Sequence, residues 1–342
     1  MRRGAEAIFC SIPARIGILG NPSDGYNGQC ISSLARNWRS SCVLTPHENR
    51  WDFTIDIRCG EESSTYKSMA SLAENPPDLG QDGLSRLVLG TLIHFQEECV
   101  ASGLAIEASG FQLKLETDIP RQVGLAGSSA VITAVLRCLL THHGLGTALP
   151  PHAVADMVLK VETERLNIHG GLQDRLPQAY NQMLHMDFRE ELMIGRGWGA
   201  YSHLEESLLP KMWLAHGGTG IESGKIHADL PGRWVEQEPV MVRVINELAW
   251  CAHRGKEALV AGDMEALATE INRNFDLRTE LFGEESLGEN LTMVRLARDL
   301  GSCAKQPGSG GAIIGIVPDD EFMERAAPAF AEHGWKLVLL EM

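Results

Sequence analysis

The run Gly124-Leu125-Ala126-Gly127-Ser128-Ser129 stands directly before 130–140, an apolar stretch with helical spacing. A glycine loop that opens a helix brings together unpaired backbone N–H groups and the positive end of the helix dipole. Such a place binds phosphate. The hydroxyls of Ser128 and Ser129 can each reach a phosphate oxygen or a metal ion. A serine N-cap accounts for one of the serines, but not for two glycines and two serines together. No Gly-Lys-Ser/Thr follows, so this is not a Walker A loop.

Charges out of place mark the other candidates. Arg15 lies inside the apolar stretch 12–19, where a buried cation requires an anionic partner. That stretch ends in Gly20-Asn21-Pro22-Ser23-Asp24-Gly25, a dense turn signal. Asp24 is then either a surface turn residue or an acceptor for the hydroxyl hydrogens of a polyol. Glu162 and Glu164 lie near the end of a helix opened by Pro150-Pro151 and flank opposite edges of its apolar stripe, so periodicity does not choose between them. Either carboxylate can hold Mg²⁺, which takes oxygen ligands, or can simply face solvent. Asp174 follows Gly170-Gly171-Leu172-Gln173 and adjoins Arg175. An acid so placed can deprotonate or orient a hydroxyl. In Lys305-Gln306-Pro307-Gly308-Ser309-Gly310-Gly311-Ala312, the glycines read as a hairpin loop, or as backbone kept bare for a ligand.

These residues need a scaffold. Strands are expected over 12–19, 42–44 and 53–57, and the alternation of Phe111, Leu113 and Leu115 makes another. Helices are expected over 84–100, 130–140 and 151–166. A second half begins after Phe188, with strands at 208–215, 312–317 and 335–340 and helices at 240–261, 264–275, 291–300 and 321–332. Strands and helices mix without regular alternation, so the class is α+β.

Composition limits the partners. The 342 residues are 44% hydrophobic with a formal charge of −15. That is enough for one large or two medium cores, and it excludes a broad basic face for nucleic acid. An anion site must therefore be built locally. None of the eight cysteines forms a C-x-x-C pair and no H-E-x-x-H occurs among the twelve histidines, so reduced thiols and no zinc are expected. No apolar run is long enough to span a membrane. Residues 1–10 lack the shape of a signal peptide, and a cytoplasmic protein is expected. Nothing in the sequence speaks to oligomeric state.

Taken in order, the Arg15 strand-loop, the 120–130 loop, the acid after it, the Gly-Asp segment and the terminal glycine loop resemble the GHMP kinases from Pro13 to Ala312. Within that family the chain is similar to the glucuronokinases, through Ala14-Arg15-Ile16-Gly17-Ile18-Leu19-Gly20-Asn21-Pro22-Ser23-Asp24, Gly171-Leu172-Gln173-Asp174-Arg175 and Asn274-Phe275-Asp276-Leu277-Arg278. It departs from most GHMP kinases in Asn21-Pro22, in one extra residue in the 124–130 loop, and in Pro307. The resemblance implies two α+β domains. Residues 1–188 form a domain like domain 2 of ribosomal protein S5, and residues 189–342 a ferredoxin-like domain, with ATP and sugar between them. It further implies that 124–129 cradles the ATP phosphates, that Ser129 and Glu162 (or Glu164) hold Mg²⁺, and that Asp174, paired with Arg15, handles the sugar hydroxyl. Asp24 and the Gly308, Ser309, Gly310 loop would touch the sugar. Arg121 or Arg175 would grip a uronate carboxylate, unless Arg121 reaches ATP and Arg175 only pairs with Asp174. The implied activity is phosphorylation of D-glucuronate at its anomeric oxygen. The alternatives are another GHMP small-molecule kinase, acting on galactose, arabinose or a heptose phosphate, and a non-catalytic binding protein of this fold.

Overall fold

A computed structural model describes residues 6–49, 51–104, 106, 108–217 and 230–342, so the reading of the first ten residues falls partly outside it. The chain opens on β1 (Ile8–Leu19), which pairs antiparallel with β2 (Gln29–Pro46) along its length. From Ile12 onward every β1 residue is buried, because both faces of the strand are covered. That is why its apolar run is continuous rather than alternating. After β3 (Ile55–Cys59), β4 (Glu62–Tyr66), α1 (Met69–Glu74) and α2 (Leu84–Ala101) comes β5 (Phe111–Thr117). Then follow α3 (Gly127–His142), α4 (Pro151–Lys160), α5 (Leu172–Tyr180), β6 (Leu184–Asp187), α6 (Glu190–Arg196) and β7 (Ala200–His203).

These strands form one sheet in the order β4-β3-β5-β2-β6-β7, with β1 on the opposite side of β2. The long β2 organises it. Residues 40–46 of β2 pair with β5, and 29–32 pair with β6. Helix α3 packs on β1 and β2, and the loop entering its N-terminus is held beside Pro13 and Arg15 of β1. Since β7 pairs with β6, the large sheet runs past residue 188. We propose to place the division of the chain between His203 and Met212.

The rest of the chain holds β8 (Met212–His216), α7 (Leu230–Val235), α8 (Pro239–Ala261), α9 (Met264–Phe282), α10 (Glu284–Leu287), α11 (Glu289–Asp299), β9 (Ala312–Ile316), α12 (Phe322–Ala331) and β10 (Lys336–Leu339). The small sheet runs β10-β8-β9. Lys305 and Ile314 exchange backbone hydrogen bonds at 3.0 and 2.8 Å, which adds a short fourth edge beside β9. The result is the β-α-β-β-α-β plan of a ferredoxin-like unit, its first crossover enlarged to α7–α11.

Among the described residues no helix is long and apolar enough to cross a membrane. All eight cysteines are free, and only Cys10 is less than buried. The first half of β2 was not expected, because Ser32, Ser33, Arg36, Asn37 and Arg39 break any apolar alternation there.

Candidate active site

The 120–127 loop leaves the sheet after β5 and enters α3 through three left-handed residues, Gln122 (φ 58°), Gly124 (φ 85°) and Ala126 (φ 56°). It is pinned on both sides by backbone. The Arg15 N–H donates to Leu125 O at 3.0 Å, and the Ala312 N–H donates to Val123 O at 3.1 Å. The terminal glycine loop lies directly on it. A Cβ on Gly124 would come within 2.7 Å of Gly310 N, one on Gly310 would strike Gly124 N, and one on Gly308 would strike Gly124 O. The bare backbone of 308–310 is thus accounted for by the close approach of the other loop.

Charge is concentrated beneath this pair of loops. Helix α4 passes into a π-helical turn, Val161–Arg165. A wider turn changes which side chains face inward. Glu162 is fully buried, while Glu164 is exposed to solvent. Ser128 Oγ donates to Glu162 Oε1 at 2.6 Å, and Ser129 Oγ lies 3.2 and 3.3 Å from the two carboxylate oxygens. On the other side of Glu162, the buried Arg175 donates from Nε to Oε2 at 2.5 Å and pairs through Nη2 as well. Arg175 Nη1 also bonds Gly171 O and lies 3.4 Å from Asp174 Oδ2. Burial works against the Arg175 cation, but Glu162 and Asp174 outweigh it and raise its pKa.

Asp174 Oδ1 pairs with Arg15 Nη2, and Arg15 Nη1 donates to Pro307 O at 2.7 Å. Arg15 is 2% exposed and Asp174 is 21% exposed, so the acid is the member of the pair that opens outward. Asp24 accepts from the Gln173 N–H at 3.1 Å, against Gly171, where a Cβ would collide with it. Burial, reinforced by the charge of Asp174, pushes the Asp24 carboxyl up to about 6.

These groups border a cavity of about 690 Å³. One part of its lining is Gln81, Asp82, Leu84, Leu87, Thr117 and Ile119. Another is Asn21, Asp24, Tyr26, Asp174, Trp234 and Arg278. Gly124, Leu125, Ala126, Gly127 and Ser128 line it, as do Gly308, Ser309 and Gly310. Ser129 and Glu162 are not part of the wall. They lie behind Ser128, which covers Glu162 with its hydroxyl. The donor set of one carboxylate and two hydroxyls is all oxygen and fits Mg²⁺, which takes one or two carboxylates together with phosphate oxygens.

Arg121 stands at the rim, 66% exposed, in an ion pair with Asp82. Arg278, in contrast, is 1% exposed and lines the cavity. Sequence reasoning took its segment as a match and gave the residue no role. A signal was present. Leu267, Ile271, Asn274, Arg278 and Leu281 recur at helical spacing on the buried face of α9, and a polar residue on such a stripe needs a reason.

Residues 86–182 match the GHMP kinases N terminal domain. The chain is 36% identical over 307 residues to glucuronokinase 1 of Arabidopsis thaliana, covering 90% of this chain and 84% of that protein. It is also 36% identical to the probable glucuronokinase 2 of the same plant, over 90% and 83%. Among solved structures, the Lactococcus lactis galactokinase complexed with galactose superposes with a TM-score of 0.78, at 14% identity, covering 99% of this chain and 94% of that one.

Proposed function

The chain belongs to the GHMP kinases and is an ATP-dependent sugar kinase, and from there we propose that its acceptor is D-glucuronate, phosphorylated at the anomeric oxygen to give glucuronate 1-phosphate and ADP. The observation that carries the reading is Asp174, held between Arg15 and Arg175 in the cavity wall, beside the loop that opens α3.

Phosphoryl transfer asks a protein mainly for positioning and charge stabilisation. The N-terminus of α3 and Ser128 present N–H and O–H donors to the ATP phosphates. Asp174 accepts, or at least orients, the proton of the anomeric hydroxyl as that oxygen bonds to the γ-phosphorus. The bond to the β–γ bridging oxygen breaks and ADP leaves with its electrons. Arg15 offsets the charge of Asp174 and fixes its position. Asp24 accepts from sugar hydroxyls. Glu162, with the hydroxyl of Ser129, would hold Mg²⁺, which when bound neutralises charge on the phosphate oxygens.

The test is ADP release with ATP and a panel of glucuronate, galacturonate, glucose, galactose and arabinose, with the product ester located by phosphorus NMR. Glucuronate should give the highest kcat/KM and an ester at C1. A higher value with galactose or arabinose overturns the assigned acceptor. No ADP with any sugar would leave the reading of a binding protein.

A further inference from the structure

Arg278 is a buried guanidinium with no carboxylate partner among the described residues. Its hydrogen bonds all go to neutral oxygens at the long end of the range. Nε donates to Gln306 Oε1 at 3.2 Å, Nη1 to Asn21 O at 3.4 Å and Nη2 to Gly308 O at 3.3 Å. A second cation lies close by. Lys305 is fully buried and donates from Nζ to Asn21 Oδ1 at 2.5 Å and to Gly17 O at 2.8 Å. Burial holds Arg278 down at about 10, and burial followed by the charge of Arg278 drives Lys305 well below its usual value. Buried charges are normally paired, and an unpaired one is costly. Two of them around Asn21, in a protein of net charge −15, leave room for an anion from outside. Of the two cations only Arg278 reaches the cavity.

We propose that Arg278 recognises the carboxylate of the acidic sugar and so sets the preference for a uronic acid over a neutral hexose. The inference rests on the reading of the chain as a uronate kinase and adds the residue that selects the acid. Position supports it. Arg15 bonds Pro307 O and holds Asp174, while Arg278 bonds the next carbonyl, Gly308 O. The carbonyls they bond are consecutive along a single loop, and both arginines line the cavity. In a pyranuronate the anomeric carbon and the carbon bearing the carboxylate flank the ring oxygen. In the proposed pose, with the anomeric hydroxyl at Asp174, the carboxylate meets Arg278, which lines the same cavity. The other two arginines expected for this role are spent. Arg175 is committed to Glu162, Asp174 and Gly171, and Arg121 is at the exposed rim on Asp82. Arg278 also has the planar fork that suits a carboxylate.

The experiment compares kcat/KM for glucuronate, galactose and ATP in the wild type, Arg278→Gln and Arg278→Lys. Loss of a buried charge-assisted contact should lower kcat/KM for glucuronate about 30-fold or more in Arg278→Gln. Galactose and ATP should stay within about threefold. Arg278→Lys should recover part of the loss. Glucuronate with a non-hydrolysable ATP analogue should raise the melting temperature of the wild type and not that of Arg278→Gln. If Arg278→Gln does not fold, Arg278→Lys carries the test through its glucuronate-to-galactose ratio, which should fall. Equal losses on both sugars, or a glucuronate preference kept in the variants, overturns the role of Arg278 and leaves the uronate kinase standing. A wild type with no preference for glucuronate overturns both.

Discussion

Asp174 has arginines on two sides and the cavity on a third, so its replacement should be felt in chemistry more than in binding. Asp174→Asn keeps the shape and removes the charge. It should lower kcat by about 10² or more, while nucleotide affinity, followed with a fluorescent ATP analogue, stays near that of the wild type. Near-normal turnover would remove the residue from the mechanism. Asp24 gives a pH signature. Its carboxyl is raised to about 6, so the folded protein binds that proton more tightly than the unfolded chain does. The stability this contributes is complete below the ordinary carboxylate range and is lost as pH rises through about 6. Asp24→Asn should therefore melt higher relative to wild type at pH 8 than at pH 5. As an acceptor Asp24 must be ionised, so wild-type kcat/KM for the sugar should fall below about pH 6, and the variant should lack that limb. A wild-type profile flat from pH 5 to 8 would refute the role. Arg15 and Asp174 were legible from sequence because a charge in an apolar strand and an acid after paired glycines are both out of place. Arg278 was missed because the helix expected over 264–275 stops short of it, so its place on the buried stripe shows only when α9 is seen to run on to Phe282.

Helix α4 shows where periodicity stops being informative. Glu162 and Glu164 flank the apolar stripe read from the sequence, but the residues buried in the structure are Val154, Ala155 and Val158, which puts Glu162, one turn beyond Val158, inside and leaves Glu164 outside as the helix ends in its π turn. Glu162→Gln and Ser129→Ala should each raise the Mg²⁺ concentration needed for half-maximal activity, and Glu164→Gln should not. The reverse outcome would move the ligand to Glu164. Glu162→Gln also strips Arg175 of its main anion, so it should lower stability by about 3–5 kcal/mol, measurable by urea unfolding without any metal. The two glycine loops raise a separate question of what their glycines are for. Because Gly310 faces the backbone of Val123 and Gly124, Gly310→Ala must push the loops apart. It should lower the melting temperature and weaken ATP binding together. Gly195, in a helix with open space around it, is the control, and Gly195→Ala should be neutral or slightly stabilising. The sequence marked both loops as special but left their partner open, since contact between segments some 185 positions apart is not a local property.

The division into two halves is less sharp in packing than in chain order. One apolar core includes β1, β2 and α3 residues together with Met241, Val244 and Leu248 of α8 and Leu267 and Ile271 of α9. A second core covers one face of the small sheet, through Trp213, Ala215 and Ile313, and takes Phe275 from the same α9, while Met212, Leu214, Ile314 and Ile316 on the other face of that sheet belong to the first core. Gly255 of α8 has no Cβ because Leu19 of β1 occupies that space. The end of the chain is tied back as well. The Arg36 N–H donates to Glu341 O at 2.7 Å, and Asn37 bonds Leu339 O and the Glu341 N–H at 3.0 and 2.9 Å. A helix that serves both cores cannot leave one without weakening the other, so the molecule should unfold as a unit although its size would permit steps. Calorimetry should give a single transition with equal calorimetric and van't Hoff enthalpies. Ile271→Ala, which touches only the first core directly, should lose about 2–5 kcal/mol. The protected amides of β8 and β9, in the other sheet, should then exchange at the same reduced free energy as those of β1 and β2. Two resolved transitions, or unchanged protection in β8 and β9, would mean that α9 does not couple the halves. The two loops at Gly124 and Gly310 would then be the main link between the phosphate end of the site and Arg278.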